Sequence, residues 1–304
     1  MDFGRIENFQ NIDYSIPSSP EANDVILQKK PKTKDPVLYT GLPVWGDQHF
    51  IGTLYPENTK PNEFLKIYSS LFSAIELNST FYGTPPIERI EKWKGQISDP
   101  NFKFCPKFPK RVTHRHGLLK SLFEAEEFID RVKTLGPNLG LSFLQLPPDY
   151  NARNFDDLSQ FLQKLKGKAD LALELRNESW FQEEAFRQLK RLLYTLDVTL
   201  VITDTPGKRD LMHFDLTTNK FFVRFVGNSL HETDYSRIDE WMGRLSELKN
   251  KGIEESYFFV HQPHEYMGFD LIKRIDENLK EQNFHLKSPA LPSNLFKETQ
   301  IELI

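Results

Sequence analysis

The chain has 304 residues, 38% of them hydrophobic and 27% charged, with a formal net charge of −4. That composition suits a globular protein with a sizeable core and excludes binding of nucleic acid through overall basicity, leaving only a local basic patch for that role. The single cysteine, Cys105, excludes an internal disulfide, and neither a C-x-x-C nor an H-E-x-x-H motif marks a common zinc site.

No stretch approaches the ~18 apolar residues of a membrane span. The N-terminus, "MDFGRIENFQNIDYS", lacks a basic region followed by an apolar run. A cytoplasmic protein with no membrane partner is expected. Residues 1–36 are polar and broken by "SIPSSPEAND" and "KKPKTKDP", which reads as an N-terminal extension draped over the domain.

From residue 37 the chain alternates. "VLYTG" (37–41) is the first strand-like run, and "PNEFLKIYSSLF" the first helix-like one. "SAIELN" (73–78) is followed by "PPIERIEKWKGQI", with Thr84 as expected N-cap and Pro85 in the first helical position. "FKFCPKF" (102–108) leads through "RVTHRHG" to "SLFEAEEFIDRVKTLG", where Ser121 and Glu124 match a capping box and Gly136 a stop. "LGLSFLQL" (139–146) precedes "FDDLSQFLQKLKG", and "LALELR" (171–176) precedes "SWFQEEAFRQLKRLLYTL". "TLVITD" (199–204) leads only to the short "RDLMHFDL". "FFVRFVG" (221–227) and "SYFFVHQ" (256–262) carry the last two helix-like runs, and 285–304 reads as a C-terminal extension. Strands alternating with helices over about 250 residues predict an α/β fold, a (β/α)8 TIM barrel spanning 37–284 as a single domain. An open doubly wound sheet is the alternative, but "TGLPVWG" is no G-x-G-x-x-G.

In such a barrel the C-terminal strand ends carry the site. Glu174 and Arg176, two apart, share a strand face, as do Glu76 and Asn78. The other ends supply Lys107, Gln145, Asp204, Arg224 and His261. Burying such groups is unfavourable unless they are paired or wet, and so many converging on one face predict a ligand site. His114 lies in the loop after the third strand, and Trp45, Tyr82 and Trp180 offer aromatic surfaces, although Trp180 also suits core packing.

Several segments together are similar to a known family. "GLPVW" at 41–45, "YP" at 55–56, "ELNSTFYGTPP" at 76–86 and "FKFCPKFPKRVTH" at 102–114 resemble the YecE-like family, domain of unknown function 72. "LQLPP" at 144–148, "ELRNESW" at 174–180 and "VRFVG" at 223–227 continue the resemblance in order. It implies a TIM barrel and carries over no activity.

Two functional readings follow from the residues. The first is an enzyme acting on an anionic small molecule or phosphodiester. Lys107, Arg176 and Arg224 would supply positive charge, Glu76 and Glu174 acid and base, and His261 or His114 a proton relay. Trp45, Tyr82 and Trp180 would stack on the ligand, with Asn78, Gln145 and Asp204 as further contacts. A metal held by Glu76, Glu174, Asp204, His114 and His261 would face three nearby cations and lacks tight ligand spacing, so no metal or cofactor is assigned. The second reading is a non-catalytic nucleic-acid or nucleotide binding module using the basic segments 107–120 and 190–195.

Overall fold

The computed structural model describes residues 4, 6, 8, 11–28, 36–115 and 117–281. It is an α/β fold of parallel strands, TIM-barrel-like in its alternation. The strands are β1 (Val37–Gly41), β2 (Ala74–Leu77), β3 (Lys103–Pro106), β4 (Ser142–Gln145), β5 (Leu171–Glu174), β6 (Val198–Leu200), β7 (Ile202–Asp204), β8 (Lys220–Val226) and β9 (Glu255–His261). Parallel pairing joins β1–β9–β8–β7, β2–β3 and β4–β5–β6. Shorter links run between these sets. Ser73 N donates to Thr40 O (3.2 Å) and Glu76 N to Leu42 O (3.3 Å), tying β2 to β1. Bridges Phe104–Leu139 and Lys107–Phe143 tie β3 to β4. The run read as a single sixth strand is two short ones separated by Val201, whose N–H donates to Leu173 O at 2.9 Å. Gly41 allows β1 and β2 to approach, because a Cβ there would overlap the Ala74 carbonyl.

Strand alternation sorts side chains into two cores. Tyr39, Ala74, Cys105, Phe143, Ala172, Val201, Phe222, Tyr257 and Phe259 pack together as one inner cluster. Their sequence neighbours, such as Ile75, Phe104, Leu144, Leu173, Val223 and Phe258, pack in the larger cluster shared with the helices. The helices are α1 (Glu21–Gln28), α2 (Phe64–Leu71), α3 (Ile87–Gln96), α4 (Lys110–Thr113), α5 (Leu122–Val132), α6 (Phe155–Leu165), α7 (Glu183–Leu196), α8 (Glu232–Lys249) and α9 (Gly268–Glu281). In α6, Leu158, Phe161, Leu162 and Leu165 recur at helical spacing and are all buried.

Two local expectations, both about helix caps, are corrected. The α3 helix begins at Ile87 after Pro86, and Thr84 is occupied by the Arg111 guanidinium instead of capping it. Ser121 makes no cap bond to α5, because its hydroxyl donates to Arg111 O at 3.2 Å. The segment read as extension contains α1, anchored by Asn23: its amide donates to Phe214 O (2.7 Å) and accepts from Leu216 N (2.8 Å). The expected C-terminal extension, 285–304, lies outside the described residues. Among the described residues, no helix is long and apolar enough to cross a membrane.

Candidate functional site at the strand ends

The inner face of each strand is apolar at its start and polar at its end. Ala172 is followed on that face by Glu174 and Arg176, Phe222 by Arg224, Phe259 by His261, Ala74 by Glu76 and Asn78, Cys105 by Lys107, and Phe143 by Gln145. Alternation therefore delivers these groups to one interior level.

Arg224 is their centre and is fully buried. Its Nε and Nη2 donate to both Glu76 oxygens at 2.8 Å, and its Nη1 to Glu174 Oε2 at 2.7 Å. Arg176 Nε donates to Glu174 Oε1 at 3.0 Å, and Gln145 Nε2 to Glu174 Oε2 at 2.7 Å. Asn78 Nδ2 donates to Glu76 Oε1 (2.8 Å), and His261 Nε2 lies 2.9 Å from Glu76 Oε2. Lys107 Nζ donates to Gln145 Oε1 at 2.7 Å and sits 4.4 Å from the Phe81 ring centre.

These contacts set the charges. Burial alone would raise the Glu174 carboxyl, but Arg224 and then Arg176 outweigh it and bring it down to about 2. Glu76 is likewise raised by burial, yet Arg224 and His261 hold it well below the usual carboxylate range. Both carboxylates are thus ionised and locked, so neither offers a proton as a general acid. Burial, reinforced by Arg224, pushes the Lys107 amine down to about 8 against the pull of Glu174 and Glu76. Burial raises the carboxyl of Glu265, in the loop after β9.

Above the cluster lies a cavity of about 340 Å³ lined by Pro43, Val44, Asn78, Phe81, Tyr82, Lys107, His261 and Glu265. A second, of about 420 Å³, shares Pro43, Val44, Asn78 and Tyr82 and adds Trp45, Gly46, Leu77 and Ser79. The first brings titratable groups, the second an apolar wall. Tyr82 is 87% exposed at their common edge. Among the described residues, Asn78 Oδ1 is buried without a hydrogen-bond partner, as is Thr203 Oγ1, whose residue pairs in register with Arg224.

Not every expected residue belongs here. Asp204 follows Ile202 on the outer face and joins a separate cluster, where it accepts from Arg237 (3.0 Å), Trp241 Nε1 (2.7 Å) and Arg209. The inward residue at that level is Thr203, which the alternation from Val201 marks. Trp180 is fully buried, stacks against Tyr150 and donates from Nε1 to Tyr150 O at 2.7 Å, so it is wall packing and not a ligand platform. Arg224 is saturated by two carboxylates, which removes it as a direct anion contact. His114 sits exposed at the surface against Phe81 and bonds Thr113 Oγ1 at 2.8 Å, lining a separate cavity of about 190 Å³ with Asp149 and Tyr150. Glu265 had no sequence signal, because its loop has no periodicity. Among the described residues, no three His, Cys, Asp or Glu side chains gather as metal ligands.

A TIM-barrel-like α/β protein with a buried carboxylate–arginine cluster under a small cavity is the class these features define. The model of the family described as Protein of unknown function DUF72 matches residues 39–295, and the chain belongs to that family. It is 27% identical over 282 residues to the UPF0759 protein YecE of Escherichia coli (strain K12), spanning 86% of this chain and 100% of that one. It is 26% identical over 246 residues to the UPF0759 protein YunF of Bacillus subtilis (strain 168), spanning 71% and 85%. Among solved structures, a DUF72 family protein from Enterococcus faecalis V583 gives a TM-score of 0.59 at 19% identity, covering 82% of this chain and 98% of that one. One from Thermotoga maritima MSB8 gives 0.57 at 23% identity, covering 79% and 99%. At these identities the two structures speak for the fold alone.

Proposed function

We propose that the strands close as one (β/α)8 barrel over residues 37–284, and that the cavity at their C-terminal ends is an active site for a small anionic molecule. The links between β1 and β2, between β3 and β4, and across Val201 support closure, since with them each strand has a bonded neighbour on either side. The lone, buried Cys105 suits a reducing compartment, and a cytoplasmic location is part of this reading.

The observation that carries the site is Lys107. Its amine lines the cavity with Gln145 as its one hydrogen-bond partner among the described residues, and with no carboxylate in ion-pair contact. A buried ammonium has three protons to donate, and an incoming carboxylate or phosphate would satisfy the remainder. The unpartnered Asn78 Oδ1 and the adjoining apolar wall of Trp45 and Leu77 favour a ligand with a polar head and an apolar body. The nucleic-acid reading is less favoured, because three cations of the basic segments already face carboxylates. Arg111 pairs with Glu127, Arg115 with Glu124, and Lys190 with Asp215.

The test is thermal unfolding of wild type and Lys107→Met against sugar phosphates, 2-oxo acids and short DNA. A ligand at about a hundred times its Kd should add ~2.7 kcal/mol, several degrees in Tm, in the wild type alone. A shift of equal size in Lys107→Met, or one seen only with DNA and lost steeply with salt, overturns the assignment.

A further inference from the structure

We infer that Lys107 is a nucleophile, and that the cavity takes an aldehyde or ketone, which Lys107 binds as an imine. This rests on the proposed small-molecule site and names the substrate class.

Three structural features point to it. Nζ donates to a neutral acceptor, Gln145 Oε1, so no carboxylate at hydrogen-bond distance holds it as an ammonium. The Phe81 ring covers the amine at 4.4 Å, and the residue is only 6% exposed, which limits water at the reacting nitrogen. A carboxyl, Glu265, lines the same cavity, and burial raises it from its ordinary value, which suits it to accept and return protons. The groups around the amine come from several elements: Glu76 from β2, Glu174 and Arg176 at the end of β5, Arg224 from β8, and His261 and Glu265 at and beyond the end of β9. The combination of burial and neighbouring cations is how an amine becomes available as a nucleophile near neutral pH.

The step balances without an oxidant or reductant. The neutral amine attacks the carbonyl carbon, and the Nζ–C bond forms as the π pair moves to oxygen; the Glu265 carboxylate takes a proton from the nitrogen and passes it to that oxygen. It then takes the second nitrogen proton and delivers it to the hydroxyl. Water leaves as the nitrogen pair makes the C=N bond, and Glu265 is again a carboxylate. One amine and one carbonyl give one imine and one water. Glu265 acts here as general acid and base.

The experiment is reductive trapping on the full chain. Pyridoxal 5′-phosphate or pyruvate is added with sodium cyanoborohydride, and the modified lysine is located by peptide mass spectrometry. Lys107 should be labelled roughly tenfold faster than any exposed lysine at neutral pH, because an amine with a pKa of about 8 holds far more free base than one near 10.5. The labelling rate should rise to half its maximum near pH 8. Lys107→Arg should lose that fast label. Should this variant not fold, the site and pH profile in the wild type decide alone. Labelling spread over surface lysines, or a Lys107 rate that only rises with the ordinary lysines, overturns the inference. Pyridoxine 5′-phosphate, which has no carbonyl, separates the two readings. If it binds in the cavity while neither carbonyl probe is trapped on Lys107, the anion site stands and the imine falls. If neither binds nor labels, both fall.

Discussion

At the scale of single residues, Arg224 does the most. It satisfies Glu76 with two hydrogen bonds and Glu174 with one, and all three side chains are out of solvent. Removing one member of such a group leaves uncompensated buried charge, whereas replacing the whole set with apolar groups is often neutral. Arg224→Met should therefore destabilise the fold by about 3–5 kcal/mol in urea unfolding. Adding Glu76→Gln and Glu174→Gln to it should recover a large part of that loss. If Arg224→Met alone unfolds at the wild-type midpoint, the cluster is not what holds these strands together. Sequence made this group legible, because a carboxylate and a guanidinium two apart in an otherwise apolar strand must share a face. What it did not reveal is that Arg224 faces two carboxylates from strands 148 and 50 residues away, which turns an expected anion contact into an internal counter-ion.

At the scale of elements, strand parity decides which side chains meet. The runs that became β1, β5, β8 and β9 were legible to within two residues, because apolar alternation bounded by polar ends is a strong signal. The sixth run was harder. Its one continuous reading places Asp204 at the strand end, but the inner-face residue is Val201, so Thr203 points inward and Asp204 outward to α8. Helix starts were less legible, since tertiary partners claimed both expected caps: Arg111 occupies the Thr84 hydroxyl, and its carbonyl accepts from Ser121. Parity yields a paired prediction. Thr203→Val removes a buried hydroxyl that has no partner among the described residues, so stability should hold or rise by up to about 1 kcal/mol. Asp204→Asn weakens bonds from Arg209, Arg237 and Trp241 and should lower stability by about 2–3 kcal/mol. Thermal melts of the two variants check the pair, and a loss in Thr203→Val equal to that in Asp204→Asn would mean the inner and outer faces are exchanged.

At the scale of the whole molecule, two buried ionic clusters, one inside the strands and one between β7, β8 and α8, make stability depend on pH. Glu76, Glu174 and Asp204 all sit below their ordinary values in the fold. A carboxyl depressed by folding contributes stability that is full above its unfolded value, near 4.5 for Glu174, and is lost as pH falls through the folded one, near 2. For Glu174 the contribution is on the order of 3 kcal/mol, from about 1.4 kcal/mol per unit. Lys107 works in the other direction. Its folded value of about 8 lies below the unfolded 10.5, so the folded state binds fewer protons between them and stability rises with pH across that interval. The stability curve should therefore begin to fall below about pH 6.5, where burial holds His213 down to about 4, steepen below pH 4.5, and climb modestly from pH 8 until the buried thiol of Cys105 and the buried tyrosines, all raised by burial, oppose it above about pH 9. Urea midpoints across pH 2–10 test both limbs. Glu174→Gln should flatten the acid limb and leave the alkaline one, while Lys107→Met should remove the alkaline rise and leave the acid fall. An acid limb of the same slope in Glu174→Gln would show that the buried inner cluster does not govern acid unfolding.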